Sequence, residues 1–304
     1  MDAQTTVRRA LCAKTVIPAF NIPYLPMLEA VANAVFDENA AAMVQVARLE
    51  WEKFESRSPE AVAEEFFRVK KPGCLLHLDH VPVIDEDGQR VAYLPILQRA
   101  LDAGYASVMV DGSRLPLAEN IAVTQQAVAL AARYGAAVEA ELGAVAGHEG
   151  SGIGSYEELF ASRKGFTDPA EAAEFAARSG CDWLSVAAGS FHGAIAAATR
   201  HLPKPQARLD IEHLRTLADA AGHLPLVLHG GSGIRQEYIL RAVQAGVAKI
   251  NVATEIRQPY EQALEQRPGD IAFAQQQVYD RTRWVLREFL QVSGSRAVLE
   301  REKE

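Results

Sequence analysis

Eight short apolar runs alternate with eight longer stretches of helical spacing along this 304-residue chain. The predicted strands cover residues 15–20, 42–46, 74–78, 107–110, 137–142, 182–186, 225–228 and 249–252. The predicted helices cover residues 25–38, 59–69, 93–103, 116–134, 169–179, 210–221, 235–245 and 255–265. Strand followed by helix, repeated without a block of strands alone, indicates a parallel sheet, and eight repeats favour a closed (β/α)8 TIM barrel. An open doubly wound sheet is the alternative, although no GxGxxG motif opens the first unit.

Residues beyond the eighth unit predict a helical extension. The Gln-Arg-Pro-Gly run at 266–269 breaks the pattern, and 273–290 has the spacing of a long amphipathic helix. We expect one TIM-barrel domain over 1–304, with the barrel at about 12–265 and C-terminal helices at about 270–292. A helix added to a finished barrel often packs on a neighbouring chain, which favours a homodimer or homotetramer.

Composition excludes several classes of protein. The formal net charge of −8 disfavours a nucleic-acid-binding protein or one that binds anionic membranes, but it allows a local pocket for a small phosphate. Cys12, Cys74 and Cys181 lie far apart without a CxxC motif, so we expect buried free thiols in a reducing cytoplasm. No signal peptide and no membrane-spanning apolar run of ~20 residues is visible, which predicts a soluble cytoplasmic protein.

Three histidines follow predicted strands at the end where barrel enzymes place their sites. His80, His192 and His229 come after strands 3, 6 and 7, and a closed barrel would bring them together. Any one of them alone could be a hydrogen-bonded structural residue. Three neutral imidazoles with one open position suit a catalytic Zn²⁺.

Carboxylates gather at the same end of the predicted barrel. Asp79, beside His80, is the candidate general acid or base; the alternative is an acceptor that orients a histidine. Glu139 and Glu141 alternate on one face of strand 5, pointing into the barrel or its mouth. Two inward carboxylates are costly to bury unless they face a metal or a polar site.

Glycine-rich and polar loops after strands 7 and 8 predict a phosphate site. Gly230, Gly231 and Ser232 precede the helix at 235, where backbone N–H groups can approach a ligand. A lone Gly-Gly-Ser-Gly run is more often a flexible turn. The run from Asn251 through Ala253 to Thr254 leads the next helix in the same way, and these two loops form the usual phosphate site of barrels.

At these residues the sequence resembles the class II, zinc-dependent ketose-bisphosphate aldolases, the fructose- and tagatose-bisphosphate aldolase group. The resemblance runs from about residue 12 to the C-terminal helix, with the motifs in the family's order. The matching motifs are Pro-Ala-Phe-Asn at 18–21, His-Leu-Asp-His at 77–80, Ser-Val-Met-Val-Asp-Gly-Ser at 107–113, Glu-Ala-Glu-Leu-Gly at 139–143, Phe-Thr-Asp-Pro at 166–169, His-Gly at 192–193, Leu-Val-Leu-His-Gly-Gly-Ser-Gly at 226–233 and Lys-Ile-Asn-Val-Ala-Thr at 249–254. The Asn-Val-Ala-Thr run resembles the tagatose-type branch.

The resemblance implies reversible cleavage of a phosphorylated ketose, fructose 1,6-bisphosphate or tagatose 1,6-bisphosphate, to dihydroxyacetone phosphate and an aldehyde. By this resemblance His80, His192 and His229 are the zinc ligands, and Glu141 is an alternative or outer contact of the metal. Asp79 handles the C4-hydroxyl proton, and Asn251 steadies the enediolate. By the same resemblance Glu149 is the mobile-loop acid that is linked to proton exchange at C3. The residues that hold the substrate phosphate are Gly193, Gly230, Ser232 and Thr254. A K⁺ or Na⁺ ion near that phosphate is common in the family.

The chain also departs from the family pattern, and other functions stay open. Ala47 stands where many members carry a serine, the loop at 81–90 is longer than usual, and Gly150 follows Glu149. We therefore expect the metal chemistry to be kept and the aldehyde specificity to differ. The alternatives are an aldolase for another phosphorylated ketose or keto acid, a non-catalytic barrel subunit that supports a partner aldolase, and an open-sheet phosphosugar-binding protein.

Overall fold

Eight parallel strands close into a barrel in which each strand pairs with the next along the chain and β1 pairs with β8. The computed structural model describes residues 2–143, 160–190, 208–231 and 233–300. The strands are β1 (Ile17–Asn21), β2 (Ala42–Ala47), β3 (Cys74–Pro82), β4 (Ser107–Asp111), β5 (Ala137–Leu142), β6 (Trp183–Val186), β7 (Leu226–Leu228) and β8 (Val247–Val252). The predicted (β/α)8 barrel is confirmed, and the open sheet is excluded.

Helices surround the barrel and continue beyond it. They are α1 (Ala3–Cys12), α2 (Met27–Asp37), α3 (Arg48–Lys53), α4 (Pro59–Val69), α5 (Tyr93–Asp102), α6 (Leu117–Ala132), α7 (Pro169–Ser179), α8 (Ile211–Ala220), α9 (Gln236–Gln244), α10 (Thr254–Gln266), α11 (Ile271–Trp284) and α12 (Ser295–Leu299). A π-helical turn, Val285–Phe289, follows α11. In the part of the chain that the structure describes, no helix is both long and apolar enough to span a membrane.

Helix α7 shows why the local signals were informative. Asp168 caps its amino end by accepting from the N–H groups of Ala170 and Glu171, at 2.8 and 3.1 Å. Its carboxyl end stops at Gly180, whose φ of 76° is the left-handed conformation that glycine adopts without strain. Both signals are readable in the sequence, as Asp-Pro at 168–169 and Gly180 at the two ends of the helix predicted over 169–179.

Several expectations need correction. Cys12 is exposed rather than buried because it lies at the end of α1, while Cys74 and Cys181 are buried free thiols as predicted. Strand β3 extends to Pro82, so the loop expected at 81–90 begins two residues later. The predicted helix at 273–290 is divided into α11 and the π-helical turn. Helices α1, α3 and α12 were not predicted.

The barrel interior divides into two layers along the strands. The lower layer, nearer the amino ends of the strands, is almost entirely apolar: Ile17, Ala19, Met43, Leu75, Ala137, Trp183, Val227 and Ala248. Helix α1 covers this end and packs Ala3, Val7 and Ala10 into the same cluster. The upper layer, nearer the carboxyl ends, is polar yet buried: Asn21, Gln45, His77, Asp79, Glu139, Glu141, His229, Lys249 and Asn251. The apolar outward faces of the strands pack against the helices.

Candidate active site

A β-bulge in β3 turns two adjacent side chains toward the same site. Leu78 pairs with Val108 and Val81 pairs with Val110, so Asp79 and His80 together stand opposite a single residue of β4. Neighbouring residues of a regular strand point to opposite faces, and a bulge removes that constraint. Asp79 therefore lies in the upper layer, while His80 also faces the inward residues Asp111 and Glu141.

The imidazoles of His80 and His229 lie next to each other at the carboxyl ends of the strands, with ring centroids 4.5 Å apart. His80 Nδ1 lies 3.2 Å from Asp111 Oδ2 and 3.8 Å from Glu141 Oε2. His229 Nδ1 lies 2.9 Å from the same Glu141 oxygen. Four side chains thus converge on one small volume: His80, Asp111, Glu141 and His229.

This donor set fits a metal ion. One ligand atom from each of Asp79, His80 and His229 lies within 4.8 Å of the others, and the same holds for His80, Asp111 and Glu141. Imidazole and carboxylate donors are those that Zn²⁺ accepts. The described residues therefore contain a group capable of holding a metal.

The electrostatics of the site favour a positive charge at the histidines. Burial lowers the pKa of His80, but Asp79, Glu141 and Asp111 outweigh burial and raise it to about 10. The pKa of His229 is also raised, because the carboxylates Glu139 and Glu141 outweigh burial and the charge of His80. A field that favours a proton on these imidazoles favours a bound cation at the same place.

Asp79 is held as a carboxylate between two side-chain amides. Asn251 Nδ2 donates to Oδ1 at 3.0 Å, and Asn21 Nδ2 donates to Oδ2 at 2.9 Å. Burial raises the pKa of Asp79, but the positive charges of His80, His229 and Lys249 lower it to about 2. The side chain is consequently ionised at neutral pH, which is the form that a general base requires.

Glu139, in the upper layer, contacts four side chains. It accepts from Trp183 Nε1 at 2.6 Å, contacts His229 Nε2 at 2.8 Å and lies 3.4 Å from His77 Nε2. Its Oε2 also lies 2.9 Å from Lys249 Nζ. Lys249 is therefore the cation that compensates the buried charge of Glu139. The sequence analysis assigned no role to Lys249.

The loop after β7 packs closely on β8. The Gly231 N–H donates to the Asn251 carbonyl at 3.2 Å. A Cβ on Gly231 would lie 2.8 Å from the Ile250 side chain and 2.9 Å from that carbonyl oxygen, so only glycine fits. Gly230 has a φ of 70°, and α10 begins at Thr254, directly after Ala253. Among the described residues, Gly231 thus lies against Asn251, three residues before the first residue of α10, and its N–H is already used within the protein.

Several predicted residues fall outside the described part of the chain. These are Glu149 of the predicted mobile loop, His192 of the predicted zinc ligands, and Gly193 and Ser232 of the predicted phosphate site. Their assignments stay predictions.

Sequence reasoning assigned no role to several polar residues of the site. Asn21 and Gln45 are paired in register on β1 and β2, and Gln45 Nε2 donates to Asn21 Oδ1 at 2.8 Å. Glu50, in α3, accepts from the Ala47 N–H at 2.8 Å and from Asn21 Nδ2 at 3.3 Å. The signal for these two residues was present, since Asn21 ends the apolar strand β1 and Gln45 is the one polar residue of β2.

A closed eight-stranded barrel with convergent imidazoles and carboxylates at the carboxyl ends of its strands defines an enzyme of the TIM-barrel class with a candidate metal centre. The sequence matches the family description "Fructose-bisphosphate aldolase class-II" over residues 1–299. The chain belongs to this family, and it is an aldolase, an enzyme of the aldehyde-lyase class.

Solved structures of aldolases are similar to this chain over nearly its whole length. The YdjI aldolase from Escherichia coli K12 is 26% identical, with a TM-score of 0.76, and the match covers 97% of this chain and 98% of that one. A putative fructose-1,6-bisphosphate aldolase from Coccidioides immitis is 25% identical, with a TM-score of 0.77 and the same coverage. The fructose-bisphosphate aldolase of Campylobacter jejuni shares the fold at 18% identity, with a TM-score of 0.70 over 95% of this chain and 94% of that one.

Proposed function

We propose that this aldolase is zinc-dependent and reversibly cleaves a phosphorylated ketose to dihydroxyacetone phosphate and an aldehyde. Fructose 1,6-bisphosphate and tagatose 1,6-bisphosphate are the favoured substrates. The observation that carries the proposal is the position of the ionised Asp79, which lies between the Asn21 and Asn251 amides and beside His80 and His229.

Three histidines are proposed to hold the zinc: His80, His192 and His229. Glu141 is proposed as an alternative or outer contact, consistent with its distances of 2.9 Å to His229 and 3.8 Å to His80. When bound, the ion would supply Lewis-acid polarisation of the ketose carbonyl.

Asp79 is proposed to remove the proton from the C4 hydroxyl. As that O–H bond breaks, the C4 aldehyde forms, the C3–C4 bond breaks, and its electron pair moves into the enediolate of dihydroxyacetone phosphate. Two hydrogen-bond acceptors of Asp79 are already occupied by Asn21 and Asn251, which fixes the direction in which the carboxylate accepts the proton.

Asn251 is proposed to stabilise that enediolate. Its Nδ2 carries two N–H bonds, of which one is directed at Asp79, and the other is proposed to donate to the developing oxyanion. A single donor of this kind contributes about 2.7–4 kcal/mol to a transition state. Glu149 is proposed to exchange the proton at C3 of the same intermediate.

The substrate phosphate is proposed to bind among Gly193, Gly230, Gly231, Ser232, Ala253 and Thr254. The amino end of α10 supplies backbone N–H groups and a favourable dipole there. Since the Gly231 N–H donates to Asn251, its contribution is the close approach of the loop and not a hydrogen bond to phosphate. A K⁺ or Na⁺ ion near the phosphate, the single domain over 1–304 and the homodimer or homotetramer are further parts of the proposal.

The test is cleavage and condensation with purified protein. Incubation with dihydroxyacetone phosphate and a panel of aldehydes should yield a phosphorylated ketose; chelation should abolish the activity, and Zn²⁺ should restore it. Activity that survives complete metal removal, or that borohydride inhibits, would contradict the mechanism. Stoichiometric zinc binding without turnover on any ketose phosphate would favour the non-catalytic support subunit instead.

A further inference from the structure

Lys249 is buried in the barrel interior beneath the candidate site. Its side chain is 0% exposed, among the largest fully buried side chains of the described residues. Leu226 pairs with Val247 and Val227 pairs with Lys249, so β8 carries an extra residue, Ala248, at this point. This irregularity lets Ala248 and Lys249 both face inward, the first in the lower layer and the second in the upper layer.

The Lys249 ammonium contacts two residues of the upper layer. It lies 2.9 Å from Glu139 Oε2 and donates to Asn251 Oδ1 at 2.7 Å. An ammonium has only donors, so it can bond the oxygen end of the Asn251 amide and not its nitrogen end. The nitrogen end is consequently directed at Asp79 Oδ1, at 3.0 Å.

The reverse orientation of that amide would damage the site. It would place Asn251 Oδ1 against the Asp79 carboxylate and Nδ2 against the Lys249 ammonium, so that like groups face each other at both ends. A buried donor or acceptor that loses its partner destabilises the arrangement that contains it. Lys249 therefore selects the one amide orientation that serves Asp79.

We propose that Lys249 is a positioning residue, which fixes the Asn251 amide so that its N–H groups face Asp79 and the reacting carbons, with Glu139 as its counter-ion. The proposal rests on the proposed function, since it assigns Lys249 a role in that reaction. A purely structural role is the competing explanation, in which Lys249 only neutralises Glu139.

A double-mutant cycle separates these roles. The variants are Lys249→Met, Glu139→Gln and the double variant, in which the carboxylate that Lys249 contacts directly is also removed. Glu139→Gln alone keeps the contact between Lys249 and Asn251, so it is the matched background. For each protein we would measure kcat, KM, zinc per chain, thermal unfolding and the exchange of the C3 proton of dihydroxyacetone phosphate with D₂O.

A positioning role predicts that Lys249→Met lowers kcat and C3 exchange by about tenfold to a hundredfold, the value of a hydrogen bond to a charged group. We expect KM to change by less than about threefold, because the phosphate contacts lie elsewhere. The same loss should appear in the Glu139→Gln background at unchanged zinc content. A loss below about threefold in that background would overturn the proposal, since neutralisation of Glu139 would then explain the single variant.

A second comparison keeps the proposal falsifiable if Lys249→Met does not fold alone. The comparison is between two proteins that both carry Asn251→Ala and Glu139→Gln, one with Lys249 and one with Lys249→Met. Because Lys249 acts through Asn251, the two should have the same residual C3 exchange. An additional tenfold loss would contradict a role through that amide. A wild-type protein that neither exchanges the C3 proton nor cleaves ketose phosphates would overturn the proposed function itself, whereas an active wild type with an equally active Lys249→Met variant overturns only the role of Lys249.

Discussion

The lower and upper layers of the barrel interior are built on the same strands, yet their chemistry is opposite. Met43 and Gln45 are two residues apart on β2 and both are fully buried, but the first packs in an apolar cluster and the second belongs to a polar network. Along β5 the same change occurs from Ala137 to Glu139. One layer closes the barrel, and the other holds the candidate site.

The difference shows how the molecule separates stability from function. Apolar burial in the lower layer contributes free energy without requiring partners of a particular geometry. Every polar residue of the upper layer needs a specific partner, because burial of an unpaired charge is costly. Substitutions in the two layers should therefore affect different measurements.

The largest effect is expected from Asp79→Asn in the upper layer. Loss of the proposed base should lower kcat by about 10²- to 10⁴-fold, the contribution of general base catalysis. The measurement is steady-state cleavage, with circular dichroism and zinc content as controls for folding and metal binding. A variant that retains more than a tenth of wild-type kcat would show that Asp79 is not the base.

Met43→Ala in the lower layer is expected to lower the stability of the protein and not its kcat. A cavity in this cluster should lower the free energy of unfolding by about 2–5 kcal/mol. Met43→Leu is the matched control and should cost less than about 1.5 kcal/mol. Urea unfolding measures the difference, and kcat at low temperature should change little in either variant. A large fall in kcat for Met43→Ala would mean that the two layers are not separable.

A smaller and pH-dependent effect is expected from Glu50→Gln at the edge of the upper layer. Burial raises the pKa of Glu50 to about 8, outweighing the hydrogen bonds that lower it. The folded protein therefore binds more protons than the unfolded chain between about pH 4.5 and 8. The contribution of Glu50 to stability is present at low pH and is lost as the pH rises through this range, by at most about 1.4 kcal/mol per pH unit.

The measurement is urea unfolding of both proteins at pH 5 and pH 8. Glu50→Gln should gain stability relative to the wild type as the pH is raised. A difference between the two proteins that does not vary with pH would show that Glu50 is ionised throughout.

The smallest effect is expected from Ala47→Ser. Ala47 pairs in register with Asp79, and the resemblance to the aldolases places a serine here in many members. A hydroxyl at this position should change KM for the ketose by less than about tenfold, the value of one hydrogen bond. Kinetics with several ketose phosphates would measure it, and an unchanged KM for all of them would show that the hydroxyl does not reach the substrate.

The sequence predicted the parts of the fold that depend on local pattern. Apolar runs marked all eight strands, and Gly180 marked the end of α7, because each signal acts within a few residues. It also predicted that Asp79, His80, Glu141, His229 and Asn251 lie near one another, because the ends of barrel strands converge.

What the sequence did not predict depends on register. The bulge that turns Asp79 and His80 the same way is visible only as a shift between β3 and β4. The pairing of Lys249 with Glu139 needs the closed barrel, since the two residues lie on strands that are not neighbours. Helix α1 was missed because its apolar face, which covers the lower layer, is made of a few small residues.

The central claim is that the upper layer supports metal-dependent formation of an enediolate. The most direct measurement is the exchange of the C3 proton of dihydroxyacetone phosphate in D₂O, followed by NMR with metal-free and zinc-loaded protein. The exchange should require zinc and should fall sharply in His229→Asn. Equal exchange by the metal-free protein, or none by the zinc-loaded protein, would contradict it.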